Sequence, residues 1–304
     1  MNKNIKIATF IITSNTYPAA RNTKMQKKLF SKRGFDNNLT FWYRGGDLSE
    51  LENHKFKVSG KDLLINTSDK SIDMGKKTLL ALEWLYSNHD FDFFVRPTPS
   101  SYLHYKNLVE FINNNLLNEE YVYCGQVQDT KDKNGNFFEF VSGSTFILNK
   151  KSVKAVLENQ ISWDHEYWDD VALAKLMYKI GIKPQNFKRF DVEGNVLKQE
   201  ISKEYYQYRC RSDNHYGYPR FLETRNLKLT DKIVNNEKIG FLSKFFNNIY
   251  FELSKKIYIY QFGWKTYLIF RKLAKALLSK RVYSFFKNLF YEKIQHFKHV
   301  RFKI

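Results

Sequence analysis

Four carboxylates lie within seven positions of one stretch of the chain: Asp164, Glu166, Asp169 and Asp170. An apolar helical pattern follows at once, and negative charge there complements the positive N-terminus of a helix, which accounts for Asp164 and Glu166. Asp169 and Asp170 are adjacent to each other and follow Trp168. Clustered carboxylates beside aromatic surface raise one another's pKa, and a raised pKa suits a general base. The spacing therefore makes Asp169 and Asp170 candidate catalytic residues.

A second set of polar side chains follows a short aromatic run: Arg96, Thr98, Ser100 and Ser101. The run itself, residues 91–95, predicts a buried strand. Pro97 and Pro99 have no N–H to donate, so we expect the ladder to end before them. A helix is predicted over residues 105–115. Because ligands of open α/β sheets bind at the carboxyl ends of strands, the four side chains are candidate ligand contacts. Ordinary capping of a strand-to-helix turn explains them about equally well.

Two arginines lie in an alternating aromatic and basic stretch, residues 205–211, which predicts another strand. Arg209 and Arg211 are two positions apart, so they fall on one face of that strand. Two guanidinium groups suit the bidentate binding of a diphosphate. The alternative is that both arginines simply face solvent.

Two familiar ligand-binding patterns are incomplete in this sequence. Gly75 to Thr78 resembles the end of a P-loop, but position 70 is Lys where that motif requires Gly, so an ATPase is excluded. His165 lies among carboxylates, but no second His lies at ligand spacing, which argues against a metal site there.

The elements around these residues predict an α/β domain. Residues 5–13 form a first strand that ends in a turn and opens onto a helix, as nucleotide-binding α/β folds commonly begin. Further strands are predicted at 40–44, 63–66 and 140–148. Ser142, Gly143 and Ser144 interrupt the last of these strands, which indicates either a close backbone approach or a β-bulge.

The strand end and the carboxylate stretch together resemble glycosyltransferases of the fringe and β-1,3-galactosyltransferase type. In that family a buried strand runs into an Asp-rich metal motif, and a later Glu-Asp-Val carries the base that deprotonates the acceptor hydroxyl. Here Arg96 occupies the strand end, and Asp169-Asp170-Val171 looks like Glu-Asp-Val. The resemblance implies a GT-A-like, nucleotide-sugar-binding Rossmann-type domain over residues 1–235. It also implies inverting sugar transfer, with Asp170 as the base and Asp169 in the Glu position.

The sequence departs from that family at the metal motif. Thr98-Pro99-Ser100 stands where the family has its carboxylates, so the usual Mn²⁺ or Mg²⁺ bridge lacks protein ligands. We therefore expect no cofactor and no requirement for a divalent metal, with arginines 96, 209 and 211 neutralising the leaving nucleotide. The same departure leaves open a catalytically inactive fringe-like protein that binds glycan or serves as a scaffold.

The resemblance also implies contacts for two substrates. The expected nucleotide-sugar contacts are Thr13, Asn15, Arg21, Lys77, Arg96, Thr98, Ser100, Ser101, Arg209 and Arg211. The expected acceptor-side residues are Ser142, Gly143, Ser144 and Trp168. Plain turn chemistry explains Asn15, and a solvated lysine face explains Lys77, without any ligand.

The end of the chain differs in composition from the rest. Residues 237–304 contain 15 Lys and Arg against 3 Glu, which gives +12 of the total net charge of +19. Eighteen aromatics in the same 68 residues recur at helical spacing among the lysines. This pattern predicts a basic amphipathic helical tail, residues 236–304, that associates with an anionic membrane surface. A helical hairpin docked on the first domain is the alternative.

The overall composition limits the class of protein and the compartment in which it is expected. An apolar content of 43% supports a packed core, and two cysteines argue against a disulfide framework. The apolar run near Met1 is too short for a signal peptide, and no run reaches the roughly 18 apolar residues of a membrane span.

We therefore expect a cytoplasmic protein, peripheral on the inner face of the cell membrane, that acts on a glycan or lipid-linked acceptor in bacterial surface polysaccharide synthesis. A nucleic-acid-binding protein is the lesser alternative that the charge allows, and no nucleic acid is expected as a partner.

Overall fold

The computed structural model describes residues 5–34, 39–52, 54–132, 135, 137–212 and 220–259. Its strands are β1 (Ile7–Ile12), β2 (Leu39–Gly46), β3 (Phe56–Ser59), β4 (Asp62–Asn66), β5 (Phe93–Pro97), β6 (Ser101–Leu103), β7 (Tyr123–Lys131), β8 (Phe137–Asn149), β9 (Gln185–Asn186), β10 (Phe190–Asp191) and β11 (Gln207–Arg209). Its α-helices are α1 (Ala19–Lys32), α2 (Leu48–Leu51), α3 (Met74–Asn88), α4 (Tyr105–Asn115), α5 (Lys150–Glu158), α6 (Asp169–Lys179), α7 (Glu223–Val234) and α8 (Phe241–Ile259).

The main sheet has the strand order β3-β4-β2-β1-β5-β8-β7-β9. The neighbours β4, β2, β1 and β5 are parallel, whereas β8 is antiparallel to both β5 and β7. The chain runs outward from β1 to β2 and β4, and then returns to place β5 on the other side of β1. Such a reversal opens a crevice at the carboxyl ends of the strands. The predicted α/β fold, with a mostly parallel central sheet, is confirmed.

Helices cover both faces of this sheet. All six residues of β1 are buried. Ile7 and Ile11 pack with apolar residues of α1, α4 and α7 on one face, and Ala8 and Phe10 pack with those of α3, α5 and α6 on the other. Burial on both faces explains why this strand is an almost unbroken apolar run in the sequence.

A small second sheet, in the order β10-β11-β6, flanks the carboxyl end of β5. β11 is antiparallel to β6, with Gln207 opposite Leu103 and Arg209 opposite Ser101. Because β6 follows β5 after only a short turn, this sheet brings β11 beside the edge where the crevice opens.

Two strands, β5 and β8, have particular features near the crevice. β5 extends to Pro97, which pairs with Thr145, so Arg96 belongs to the strand and not to the turn after it. β8 is a single strand over Phe137–Asn149, but its register with β7 shifts, since Gly125 pairs with Phe146 and Val127 pairs with Val141. The additional residues of this β-bulge lie in β8 and include residues 142–144, so the bulge that the sequence left open there is present.

The predicted strand over residues 205–211 is shorter in the structure. Only Gln207–Arg209 form β11, and Arg211 lies beyond its end. The expectation that Arg209 and Arg211 share one strand face is therefore wrong, because the period-two alternation applies only within the strand.

The amphipathic pattern that begins at Phe241 forms α8, as predicted, while the later patterns of the tail lie outside the described residues. Phe251 is buried in the same core as α7. The guanidinium of Arg225 lies 3.9 Å from the ring centre of Tyr250, which ties α8 to α7. Across the described ranges, no helix combines the length and apolar character needed to cross a membrane. The division of the chain at residue 235 stays a prediction.

Candidate active site

Arg96 and Asp169 form a buried ion pair at the carboxyl edge of the main sheet. Arg96, in β5, is 1% exposed, and Asp169, the first residue of α6, is 3% exposed. Nη2 of Arg96 donates to Asp169 Oδ2, and Nη1 donates to the carbonyl of Gly143. A buried charge requires a partner and further hydrogen bonds, so this pair fastens the start of α6 to the end of β5.

Two hydroxyls complete the surroundings of the pair. Tyr43 lies near the end of β2, and its hydroxyl accepts from Nε of Arg96 at 3.3 Å. Thr78, in the first turns of α3, donates to Asp169 Oδ2 at 3.2 Å and lies 3.2 Å from the Tyr43 hydroxyl. Burial raises the pKa of Tyr43, although the positive charge of Arg96 opposes that shift. Neither residue was a predicted site residue, because an aromatic strand residue and a helical threonine have no distinctive pattern in the sequence.

Asp170 lies next to this pair but has different partners. Its Oδ2 accepts the N–H of Gly143 at 2.8 Å, and its Oδ1 accepts the N–H of Val171 at 2.9 Å. Burial raises the pKa of Asp170, and the negative charge of Asp169 raises it further, whereas the Gly143 hydrogen bond and Arg96 act in the opposite direction. Unlike Asp169, which is buried, Asp170 keeps partial exposure. Of the two adjacent carboxylates, Asp170 is thus the less buried.

The close approach of Asp170 to β8 requires a glycine. A Cβ on Gly143 would lie 2.8 Å from Asp170 Oδ2, nearer than real Cβ atoms come to other heavy atoms. Gly143 therefore serves both acidic residues, since its N–H holds Asp170 and its carbonyl binds the arginine that holds Asp169. At this glycine the sequence indicated either a close backbone approach or a β-bulge, but not the partner.

The serines on either side of Gly143 point to the opposite face of β8, as alternation in a strand demands. Nη1 of Arg189 donates to Ser142 Oγ at 2.9 Å and to Ser144 Oγ at 2.8 Å. Nε2 of Gln207 also donates to Ser144 Oγ, at 3.0 Å. Arg189 is buried and its Nε donates to Asp191 at 2.9 Å. Sequence reasoning missed Arg189 and Gln207, because only their burial distinguishes them from ordinary surface residues.

The predicted cluster after β5 packs directly against this segment. The N–H of Thr98 and the hydroxyl of Ser101 both donate to the carbonyl of Ser144, at 2.9 and 2.8 Å. Nε2 of Gln26, from α1, donates to the carbonyls of Thr98 and Ser101. Ser100 is buried, and its carbonyl accepts the N–H of Cys210 at 2.8 Å. The hydroxyls of Thr98 and Ser101 lie 3.2 Å apart, and of these two residues Ser101 is buried whereas Thr98 is partly exposed.

A second polar cluster lies across the crevice, at the ends of β1 and β2. Lys77 is buried, and its Nζ donates to Asp69 Oδ1 at 2.8 Å. Asp69 also accepts the N–H groups of Gly45 and Asn15, at 2.7 and 3.3 Å. The hydroxyls of Thr13 and Thr23 lie 2.5 Å apart. Asp69, which was not predicted, thus draws together predicted nucleotide contacts from separate elements.

The remaining predicted residues lie nearer solvent. Arg209 is partly exposed, with Nη1 3.7 Å from Asp191 Oδ1, and Arg211 is exposed. Arg21 is exposed on α1. Trp168, directly before α6, is 64% exposed. The structure thus joins Arg96, Asp169, Asp170 and residues 142–144 in one contiguous cluster. Arg209 is connected to it through Asp191 and Arg189.

Metal ligation has few candidate groups at this site. Across the residues that the structure describes, no three His, Cys, Asp or Glu side chains are grouped as a metal site would require. Asp169, one of the two carboxylates at the crevice, is already bound by Arg96. His165 is exposed. The expectation of a metal-independent site remains a prediction.

No protein-family model and no curated protein sequence matches this chain. Among solved structures, one similar to it is a glycosyltransferase involved in the glycosylation of the major capsid of PBCV-1, at 10% identity and a TM-score of 0.44, covering 74% of this chain and 99% of the other. Another is 4-diphosphocytidyl-2C-methyl-D-erythritol synthase from Anaerococcus prevotii, at 12% identity and a TM-score of 0.38, covering 61% and 89%. A third is the inositol-1-phosphate CTP transferase from T. maritima, at 8% identity and a TM-score of 0.36, covering 62% and 86%. Likenesses of this size do not determine an activity.

Proposed function

We propose that this chain is an inverting glycosyltransferase that moves a sugar from a nucleotide-sugar to a hydroxyl of a glycan or lipid-linked acceptor. The observation that supports it is that the two adjacent carboxylates differ in their partners and in their exposure. Asp169 is bound to Arg96, while Asp170 stays partly exposed at the crevice, held by the N–H of Gly143. A carboxylate held by backbone and close to the crevice is suited to accept a proton.

In the proposed reaction, Asp170 takes the proton of the acceptor hydroxyl as its oxygen attacks the anomeric carbon. The new carbon–oxygen bond forms on the face opposite the leaving group, and the bond to the nucleoside diphosphate breaks with its electron pair on the phosphate oxygen. Direct displacement of this kind inverts the anomeric configuration. The proposed reaction therefore requires no covalent intermediate between sugar and enzyme.

The donor is proposed to lie in the crevice between β1 and β5. Asn15 and the Lys77–Asp69 pair would contact its nucleoside, and the partly exposed Thr98 would place its hydroxyl near its phosphates. Departure of a diphosphate creates negative charge that positioned cations stabilise. Arg209 and Arg211 are the proposed cations, since the guanidinium of Arg96 is already engaged by Asp169. In this proposal no divalent metal takes part.

A screen of UDP-, GDP- and CMP-sugars by thermal shift, with and without EDTA, tests the donor and the metal together. We expect one nucleotide class to raise the melting temperature, in both conditions, because a ligand that binds only the folded state stabilises it. Stabilisation that EDTA abolishes and Mn²⁺ restores would contradict the metal-free part of the proposal. Glycan binding without any nucleotide-sugar binding would instead favour the inactive, glycan-binding alternative.

A further inference from the structure

One side of α8 is apolar and exposed from Phe241 to Leu253. Six large side chains form this apolar stripe: Phe241, Leu242, Phe245, Phe246, Ile249 and Leu253. Their exposed fractions range from 40% to 79%. At 100° per residue the six positions fall within one side of the helix, so the stripe is continuous. A monomeric soluble protein rarely leaves such a patch unless something binds it.

The opposite side of α8 is already occupied by the α/β core. Phe251 and Ser254 are buried. At the edge of the stripe, Nδ2 of Asn195 donates to Asn248 at 2.8 Å, and Lys198 pairs with Glu252 at 2.7 Å. The helix is therefore docked by one side. The sequence-based alternative, a helical hairpin docked on the first domain, involves residues beyond 259, which lie outside the described residues. The docked side fixes the direction in which the stripe faces.

We propose that the apolar stripe of α8 docks on an anionic lipid surface. The argument for lipid over a protein partner is charge. Residues 237–304 contain 15 Lys and Arg against 3 Glu, and Lys238 and Lys244 are exposed beside the stripe. A stripe shared between two copies of the chain would bring two such positive segments together, whereas anionic headgroups offset the charge while the acyl region receives the phenylalanines.

The chemistry of the stripe fits the boundary of a bilayer more closely than its interior. Phenylalanine and leucine lie on the outward side of a 19-residue helix, and lysines lie near its beginning. A helix with this distribution lies in the plane of the membrane, with its apolar side among the headgroups and upper acyl chains. Binding would hold the α/β domain against the membrane in one orientation, and this does not depend on which reaction the crevice catalyses.

Cosedimentation of the full chain with vesicles tests the proposal. The two vesicle types are phosphatidylcholine alone and phosphatidylcholine with phosphatidylglycerol. The test variant is Phe245→Gln/Phe246→Gln, and the matched control is Phe137→Gln/Ile161→Gln, which removes two apolar side chains that are 72% and 96% exposed on other elements. We expect binding to the anionic vesicles only, weakened at least about tenfold in the test variant, because binding scales with the apolar area that enters the membrane.

The control variant should bind as the parent does. Equal loss in both variants, or no binding by the parent, would overturn the proposal. Unchanged vesicle binding together with a lower melting temperature in the test variant would assign the stripe to residues 260–304 of the same chain and also overturn it. Concentration-dependent dimerisation that only the test variant loses, without vesicle binding by the parent, would assign the stripe to a second copy.

Discussion

The ion pair between Arg96 and Asp169 joins residues that are 73 positions apart in the sequence and less than a twentieth exposed in the structure. It fixes the first turn of α6 against the end of β5. As a consequence Asp170, the next residue, is held at the crevice by the N–H of Gly143.

Asp169→Asn and Asp170→Asn should have opposite effects on stability. Removing Asp169 leaves the buried guanidinium of Arg96 without its partner, and breaking a buried pair costs about 3–5 kcal/mol. Removing the charge of Asp170 should leave stability at neutral pH unchanged or higher, because burial and Asp169 both disfavour that charge. Chemical denaturation at neutral pH measures both. A larger loss in Asp170→Asn would contradict these roles.

Gly143→Ala should impair activity while leaving the fold intact. The added Cβ would lie 2.8 Å from Asp170 Oδ2, so the carboxylate must move away from its place at the crevice. We expect a fall in kcat of at least about tenfold, since 1.4 kcal/mol of lost transition-state stabilisation already gives that factor. Gly240→Ala is the control, because no heavy atom lies within 4 Å of its Cβ position. Equal activity of the two variants would remove Gly143 from the site.

Arg189→Met should lower both the stability of the fold and kcat. It deprives the buried hydroxyls of Ser142 and Ser144 of their charged donor, and an unsatisfied buried group costs about 1–3 kcal/mol. Because these serines flank Gly143, we expect kcat to fall along with stability, and donor affinity to change less than kcat. Lys188→Met, at the exposed neighbouring position, is the control. A loss of stability with normal kcat would make Arg189 purely structural.

The rate should depend on pH through Asp170. A general base acts only when it is deprotonated, so kcat falls as the pH drops through its pKa, and the raised pKa places that fall above the usual range of an aspartate. The stability of the fold should depend on pH in the opposite direction to kcat. A raised folded-state pKa means that protonated Asp170 favours folding, and this contribution is lost as the pH rises through the folded-state pKa. A pH profile of kcat with no acid limb above pH 4 would contradict this prediction.

Local pattern was sufficient to predict the elements that carry the site. The apolar run before Arg96 and the helix that begins at Asp169 are local signals, and β5 and α6 follow from them. The pairing of Arg96 with Asp169 could not be predicted, because it depends on which strand lies beside which helix. Arg189 could not be found either, since its role follows from burial behind β8, a long-range property.

The most direct test of the proposed function is the turnover of Asp170→Asn, measured with donor Kd once a donor is known. A base acts on the acceptor proton only as the new bond forms, so we expect kcat to fall by about 10²–10⁴-fold while donor Kd stays within about twofold. Asp164→Asn is the matched control in the same stretch. The Asp164 carboxylate lies 2.6 Å from Nζ of Lys175 and takes no part in the cluster around Asp170. Near-normal turnover of Asp170→Asn, or an equal loss in Asp164→Asn, would contradict Asp170 as the base.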